Sequence, residues 1–381
     1  MRYGARSPAP LGIVSAAMLP TRSLAPSSTL AATLLLFACH DASSSGAPAP
    51  SAAPVTPMGM ASAATLVQNK TLPESLAKLH RPKEVVVGGG SLFALDPHDA
   101  SPDVPDGLDV LSVPLAPGGD AKPVFSKQRG AEGLAFAGGR LAWVIAPSDD
   151  GKQHSQILVG KPGAASPSPV ARTVDTDETI CVSDGTDVFS LGDAKAKGAG
   201  TDVLRIGSDG KAVLVTATSG PLVRTAMAVN ATHVFWVQGG AVVRAVKTGG
   251  DAAVVVKLPG GKIQRLAADD ASVYWTDAGT GDPQWSSRVY RVSLSGGNVE
   301  TLSDAPSPFA IVLDSDTIYW TSSADVGGRV MARKKKGTDT VVLAQDQHGP
   351  HGIAVDDKYV YWANTADGSV MRVEKAVKTS P

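Results

Sequence analysis

A short apolar strand carrying a large aromatic recurs seven times along this chain, as SLFAL (91–95), LAWVI (141–145), DVFSL (187–191), VFWVQ (234–238), VYWTD (273–277), IYWTS (318–322) and VYWAN (360–364). The anchors Phe93, Trp143, Phe189, Trp236, Trp275, Trp320 and Trp362 lie 50, 46, 47, 39, 45 and 42 residues apart. Self-similarity at that period signals one supersecondary unit per copy, and four short strands with their turns fill such a unit. Aromatics make up only 5% of the chain, yet five of its six tryptophans hold this one position. The pattern is therefore a placement and not a by-product of composition.

The copy over 263–304 parses most cleanly. IQRLAAD (263–269) reads as an inner strand, SVYWTD (272–277) as the second, SRVYRVSL (287–294) as the third and VETLSD (299–304) as the outer strand. Asp269-Asp270 and Gly296-Gly297 supply turns that tolerate positive φ. Inner strands recur as EGLAFAG (132–138), ETICVSD (178–184), TAMAVN (225–230), FAIVLD (309–314) and HGIAVD (351–356). Their residues are small, as convergence on a narrow axis requires. The last unit stops after SVMRVE (369–374), while ATLVQN (64–69) stands upstream as an unattached outer strand. Open strand edges invite aggregation, so this segment is expected to complete the last blade. The chain thus predicts an all-β, seven-bladed β-propeller over 64–381, with four antiparallel strands per blade and an N-terminal strand closing the ring; six blades is the alternative. The aromatic anchors are expected to fill the wedge between blades.

The units resemble the YWTD-type propeller repeats of low-density-lipoprotein-receptor ectodomains and of bacterial surface proteins. The matching pieces are VYWTD (273–277), IYWTS (318–322) and the third-strand arginines Arg205, Arg244, Arg291 and Arg372; PHGIAVD (350–356) is also similar to NHL repeats. The resemblance spans about 64–375 and is strongest after residue 220. Two departures stand out: the motif's terminal aspartate survives only as Asp277, and the receptor family has six blades where seven are counted here.

Residues 1–38 read as a signal peptide, for Arg22 precedes STLAATLLLFAC (28–39), an apolar run too short to span a bilayer. Met18 as the start gives a more usual length. Leu36-Phe37-Ala38-Cys39 resembles the lipobox of bacterial lipoproteins, which implies that Cys39 is lipidated and becomes the mature N-terminus. Residues 39–63, rich in Ser, Ala and Pro, read as a flexible tether. Cys181 then has no disulfide partner and is expected to be a buried, inert thiol. The expected location is the bacterial envelope, lipid-anchored in the periplasm or at the cell surface. A net charge of −1 gives no bulk attraction to nucleic acid.

Aligning the residues that open the inner strands places Glu84, Glu132, Glu178, Thr225, Gln264, Phe309 and His351 around the channel mouth. Glu132, Glu178 and His351 are potential ligands for Ca²⁺ or Mg²⁺, which defines an alternative function as a metal-dependent, lactonase-like hydrolase or lyase. His348, in DQHGPHG (346–352), adds a second imidazole, and Trp285, in a polar loop, is a candidate contact for sugar or peptide. No nucleophile elbow, phosphate loop, HExxH or paired-cysteine motif occurs. The primary expectation is therefore a non-catalytic binding module, monomeric and without a cofactor, for a protein, peptide or glycan.

Overall fold

The computed structural model describes residues 66–97, 107–147, 154–172, 179–192, 202–218, 222–258, 262–279, 287–304, 307–323 and 327–375. Cys39, Glu178 and Trp285 lie outside them, as does the Thr225 side chain. Every regular element among these residues is a strand, and the strands form seven sheets, antiparallel but for one added strand.

From the channel outwards, blade 1 is Glu84–Gly88, Ser91–Pro97, Gly107–Val113 and Lys122–Arg129; blade 2 is Ala131–Ala137, Arg140–Ile145, Gln156–Gly160 and Ser168–Arg172. Blade 3 is Cys181–Ser183, Val188–Gly192, Asp202–Ile206 and Ala212–Ala217; blade 4 is Leu222–Val229, His233–Gln238, Ala241–Val246 and Ala253–Lys257. Blade 5 is Ile263–Ala268, Ser272–Asp277, Arg288–Ser293 and Glu300–Asp304; blade 6 is Pro308–Leu313, Thr317–Ser322, Gly328–Lys334 and Thr340–Gln347. Blade 7 supplies only Pro350–Val355, Tyr359–Asn364 and Ser369–Glu374 from the C-terminal end. The ring closes where the Gly352 amide donates to the Lys83 carbonyl at 2.9 Å, joining blade 7 to blade 1. The molecule is a seven-bladed β-propeller.

The closing strand is not the expected one. Glu74–Lys78 pairs antiparallel with Ser369–Glu374 and completes blade 7, while Leu66–Gln68 adds parallel to Thr340–Val342 as a fifth strand on blade 6. The ESLAK stretch lacks the aliphatic density of ATLVQN, so composition pointed to the wrong segment. What selects Glu74–Lys78 is pairing on the ring, where Glu74 meets the Arg372 guanidinium at 2.7 Å and Leu76 is buried.

The core is divided among the junctions. Buried side chains sort into seven clusters, each at the contact of two neighbouring blades. Trp143, Trp236, Trp275, Trp320 and Trp362 are fully buried, each facing the preceding blade. Phe93 and Phe189 are also buried, but in a different place. Phe189 lies opposite Val182 and Phe93 opposite Val86, one step out of register with Trp275, which lies opposite Leu266. Successive strand residues point to opposite faces, so both phenylalanines face the following blade and hold the place that Tyr274, Tyr319 and Tyr361 hold in blades 5 to 7.

The hairpin between inner and second strand is built in two ways. Blades 1 and 2 turn on Gly89-Gly90 and Gly138-Gly139, all at positive φ. Later blades use an Asx clamp: Asp184, Asn230, Asp269, Asp314 and Asp356 each accept two backbone amides from the turn. In blades 5 to 7 the second carboxylate oxygen also accepts the tyrosine hydroxyl, as in Tyr319 to Asp314 at 2.8 Å. Lysines of the next blade complete it, with Lys247 on Asp184, Lys335 on Asp269 and Lys375 on Asp314.

Candidate functional site at the channel mouth

The first residues of the inner strands meet at one end of the central channel. There the pairing of inner and second strand slips by a bulge in five blades, between Glu132 and Ala135, Val223 and Met227, Ile263 and Arg265, Pro308 and Ile311, and Pro350 and Ile353. A bulge leaves backbone groups without a ladder partner and re-aims side chains. The threonine of the Tyr-Trp-Thr motif repairs this. Thr276 Oγ1 accepts the Arg265 amide and donates to the Phe309 carbonyl of blade 6, and Thr321 Oγ1 accepts the Ala310 amide and donates to the His351 carbonyl of blade 7. Asp277, by contrast, serves its own blade, where Oδ1 accepts the Lys262 and Gly279 amides.

The step after the bulge is normally tiny. A Cβ added to Gly133 would stand 2.5 Å from Ile180 Cα, and one added to Gly352 would stand 2.6 Å from Glu84 Cα. Neighbouring inner strands touch there. Blade 5 has Arg265 at this step, and its side chain leaves the wall and crosses the mouth. Its guanidinium lies 4.8 Å from the Phe309 ring centroid of blade 6 and reaches Glu84 of blade 1 at 3.5 Å. Phe309 also meets the His351 imidazole, with the two ring centroids 3.7 Å apart. Three blades thus contribute the cation, the aromatic and the imidazole of one compact group.

The surroundings set the protonation. His351 Nδ1 lies 3.1 Å from the Lys83 carbonyl, an acceptor, so the ring carries its proton on Nδ1 and leaves Nε2 as an acceptor. Burial, followed by the nearby Arg265 charge, holds His351 down at about 4, so it is neutral at physiological pH. Glu84 accepts the Leu134 amide at 2.7 Å besides facing Arg265, and Glu132 faces Lys83 Nζ at 3.8 Å. Below the mouth runs a channel of about 440 Å³, walled by Val85, Leu134, Cys181, Ala228, Leu266 and Ile311 among others. Burial pushes the Cys181 thiol up to about 12, which makes it a poor nucleophile.

Among the expected site residues, the structure brings Glu84, Phe309 and His351 together. Glu132 joins them through Lys83. Gln264 contributes its backbone carbonyl, which accepts from Arg265 Nη1 at 3.1 Å. His348 stands apart, half-exposed, with Nδ1 3.5 Å from Asp367 Oδ2. The residues that sequence reasoning missed are Arg265 and Lys83. A signal for Arg265 existed, since it aligns with Gly133, Ala310 and Gly352, and a long side chain cannot fit where inner strands touch. Among the described residues no three His, Cys, Asp or Glu side chains converge to hold a metal, and the two mouth carboxylates face cations, whose charge opposes a divalent ion. The site offers a donor fork and a neutral acceptor, both packed against the Phe309 ring. A base held near 4 is weakly basic at neutral pH, so the geometry suits hydrogen bonding better than proton transfer.

No protein-family model matches this chain, and no curated protein matches it. Solved structures do. The chain is similar to a catalytically inactive variant of virginiamycin B lyase from Staphylococcus aureus with quinupristin, at 13% identity and a TM-score of 0.54, covering 80% of this chain and 99% of that one. It is similar to the β-propeller domain of the Trilobed protease from Pyrococcus furiosus, at 12% identity and a TM-score of 0.54, covering 80% and 100%. A puromycin-hydrolyzing peptidase from Mycobacterium tuberculosis matches at 16% identity and a TM-score of 0.53, over 84% of this chain and 57% of that one. At such identities the likeness is one of fold, and that fold is the β-propeller.

Proposed function

We propose that this chain is a lipid-anchored lipoprotein of the bacterial envelope whose YWTD-type propeller is a non-catalytic binding module, taking a protein, peptide or glycan segment at the channel mouth. The observation that carries the reading is the Arg265–Phe309–His351 group, drawn from three blades. A guanidinium donor beside a neutral imidazole acceptor matches the paired acceptor and donor character of amides and sugar hydroxyls, and Phe309 packs against both groups and holds them in place. The low basicity of His351 and the cations beside Glu84 and Glu132 favour this reading over metal-assisted hydrolysis. The anchor rests on the lipobox-like Leu36–Cys39 segment.

The test is the full-length protein on peptide and glycan arrays, beside its Arg265→Ala variant. Losing a charged hydrogen-bonding group should weaken binding roughly 10- to 100-fold, measured at a temperature where circular dichroism shows the variant folded. Turnover of lactones, esters or glycans that requires added Ca²⁺ or Mg²⁺ and disappears in Glu132→Gln would overturn the reading in favour of the hydrolase. Failure of Cys39→Ser to abolish fatty-acid incorporation would remove the anchor alone.

A further inference from the structure

The seven outer strands differ in how their free edges are protected. An unguarded edge is a template for another strand. Blade 1 ends on Lys122–Arg129, whose exposed face carries Lys122, Pro123 and Lys127, and blade 2 ends on a strand containing Pro169. Blade 5 ends on Glu300–Asp304, with charges at both ends, and blade 7 on Glu74–Lys78, likewise. Blade 6 is covered by Leu66–Gln68. Blade 4 has only the terminal Lys257. Blade 3 ends on Ala212–Ala217, sequence AVLVTA, with no charge, no proline and no strand on its outer side among the described residues.

That edge is also apolar on its surface. Val213 is 51% and Leu214 42% exposed, and the neighbouring blade adds exposed Val246 and Val254. Apart from Leu66, Val67 and Leu72 of the N-terminal segment, these are the large exposed hydrophobic residues among those described. A bulge between third and outer strand occurs in all seven blades, so it does not set blade 3 apart.

We infer that the outer edge of blade 3, Ala212–Ala217, is a β-augmentation site that accepts an extended, aliphatic segment of a separate polypeptide. The chain itself supplies the precedent. Leu66–Gln68 lies on the matching edge of blade 6 in regular parallel register, so an outer edge of this ring takes an added Leu-Val strand despite its bulge. Main-chain hydrogen bonds would hold the incoming strand, and Val213 and Leu214 would select apolar side chains. A second copy of the chain is the poorer occupant. Two convex rims meeting along one six-residue strand present far fewer than the 20–30 residues a side of a standard interface, whereas a flexible segment can follow the edge. Blade 3 also lies across the ring from the blade 6 and 7 rim, where the N-terminal strands join.

The probe is a phage-displayed library of random 12-residue peptides panned on the full-length protein, followed by hydrogen exchange with the selected peptides. The expected result is enrichment of segments alternating Val, Ile or Leu, protection of amides in Ala212–Ala217, and at least ~10-fold weaker binding to Val213→Lys/Leu214→Lys. These substitutions are on an exposed edge, and circular dichroism with a melting curve verifies that the variant folds. Arg265→Ala should bind the same peptides within twofold, which separates this site from the channel mouth. No selected peptides, protection at the mouth instead of blade 3, or unchanged binding to the lysine variant would overturn the inference. So would a dimer in sedimentation that the lysine variant dissolves, since the edge would then serve a second copy.

Discussion

The junction of blades 2 and 3 and that of blades 6 and 7 close the same ring by different means. At 6/7, Tyr319 and Trp362 are buried together and Thr321 donates to the His351 carbonyl. Asp314, which accepts the Tyr319 hydroxyl and two turn amides, is bridged to Lys375 of blade 7 at 2.8 Å. At 2/3 the cluster is wholly aliphatic but for Cys181, with Ala142, Val188 and Leu204 at its centre. Backbone groups also meet there. Ile180 packs against Gly133, the Gly138 amide donates to the Gly185 carbonyl, and Ser183 Oγ donates to the Phe136 carbonyl. A wedge can be filled with rings and charge clamps or with aliphatic side chains, and interiors reach native density either way. The first solution concentrates energy in a few side chains, and the second spreads it over many.

Trp362→Ala should therefore have the largest effect, a loss of about 3–5 kcal/mol measured by denaturant unfolding. It should also reverse the order of opening. In the native protein the amides of Ala131–Ala137 and Cys181–Ser183 should exchange before those of Pro350–Val355, and in the variant after them. Retention of the native order would show that the two seams do not differ as described.

The next effect belongs to the clamp. Asp314→Ala removes hydrogen bonds to a cation, a phenol and two amides, and should cost on the order of 2–3 kcal/mol. Burial alone would raise the Asp314 carboxyl, but Lys375, Tyr319 and the turn amides outweigh it and hold the group at about 2, against an ordinary 3.8. A depressed carboxyl contributes stability that is complete above its unfolded value and is lost as pH falls from about 4 towards 2. Asp269 and Asp356 are shifted in the same direction. Asp314→Asn should flatten the acid limb of a stability–pH curve, whereas no clamp of this kind exists at the Gly138-Gly139 turn to titrate.

The third effect is at the mouth, and it is confined to pH below about 6.5. His351 is held at about 4 against 6.5 for a free imidazole, so the unfolded chain binds the proton more readily and stability declines as pH falls from about 6.5 towards 4. His351→Gln should remove that part of the slope, and an imidazole that titrates near 6.5 by NMR would refute the burial argument.

Much of the fold was legible because the repeat is a packing rule written once per blade. The Trp anchors, the small inner strands and the turn residues gave seven blades of four strands, and each of those features acts locally. Two mistakes share one cause. Phe93 and Phe189 share aromaticity with the tryptophans, yet pairing places them one residue away and on the opposite face. ATLVQN is the more aliphatic segment, yet Glu74–Lys78 closes the ring. Register is decided by hydrogen bonding between strands far apart in the chain, and a one-residue slip costs nothing in composition.

The same division holds at the candidate site. The sequence by itself determined which residue types open each inner strand and hence that carboxylates, an aromatic and an imidazole gather at one end of the channel. Only the tertiary structure decided that Arg265 crosses from blade 5 to blade 1 and stacks on Phe309 beside His351, and that burial, with the Arg265 charge second, leaves that imidazole neutral. The physical reason is that a bulge turns one side chain out of the wall and curvature of the ring sets which distant residues it meets, and neither quantity is encoded within a single repeat.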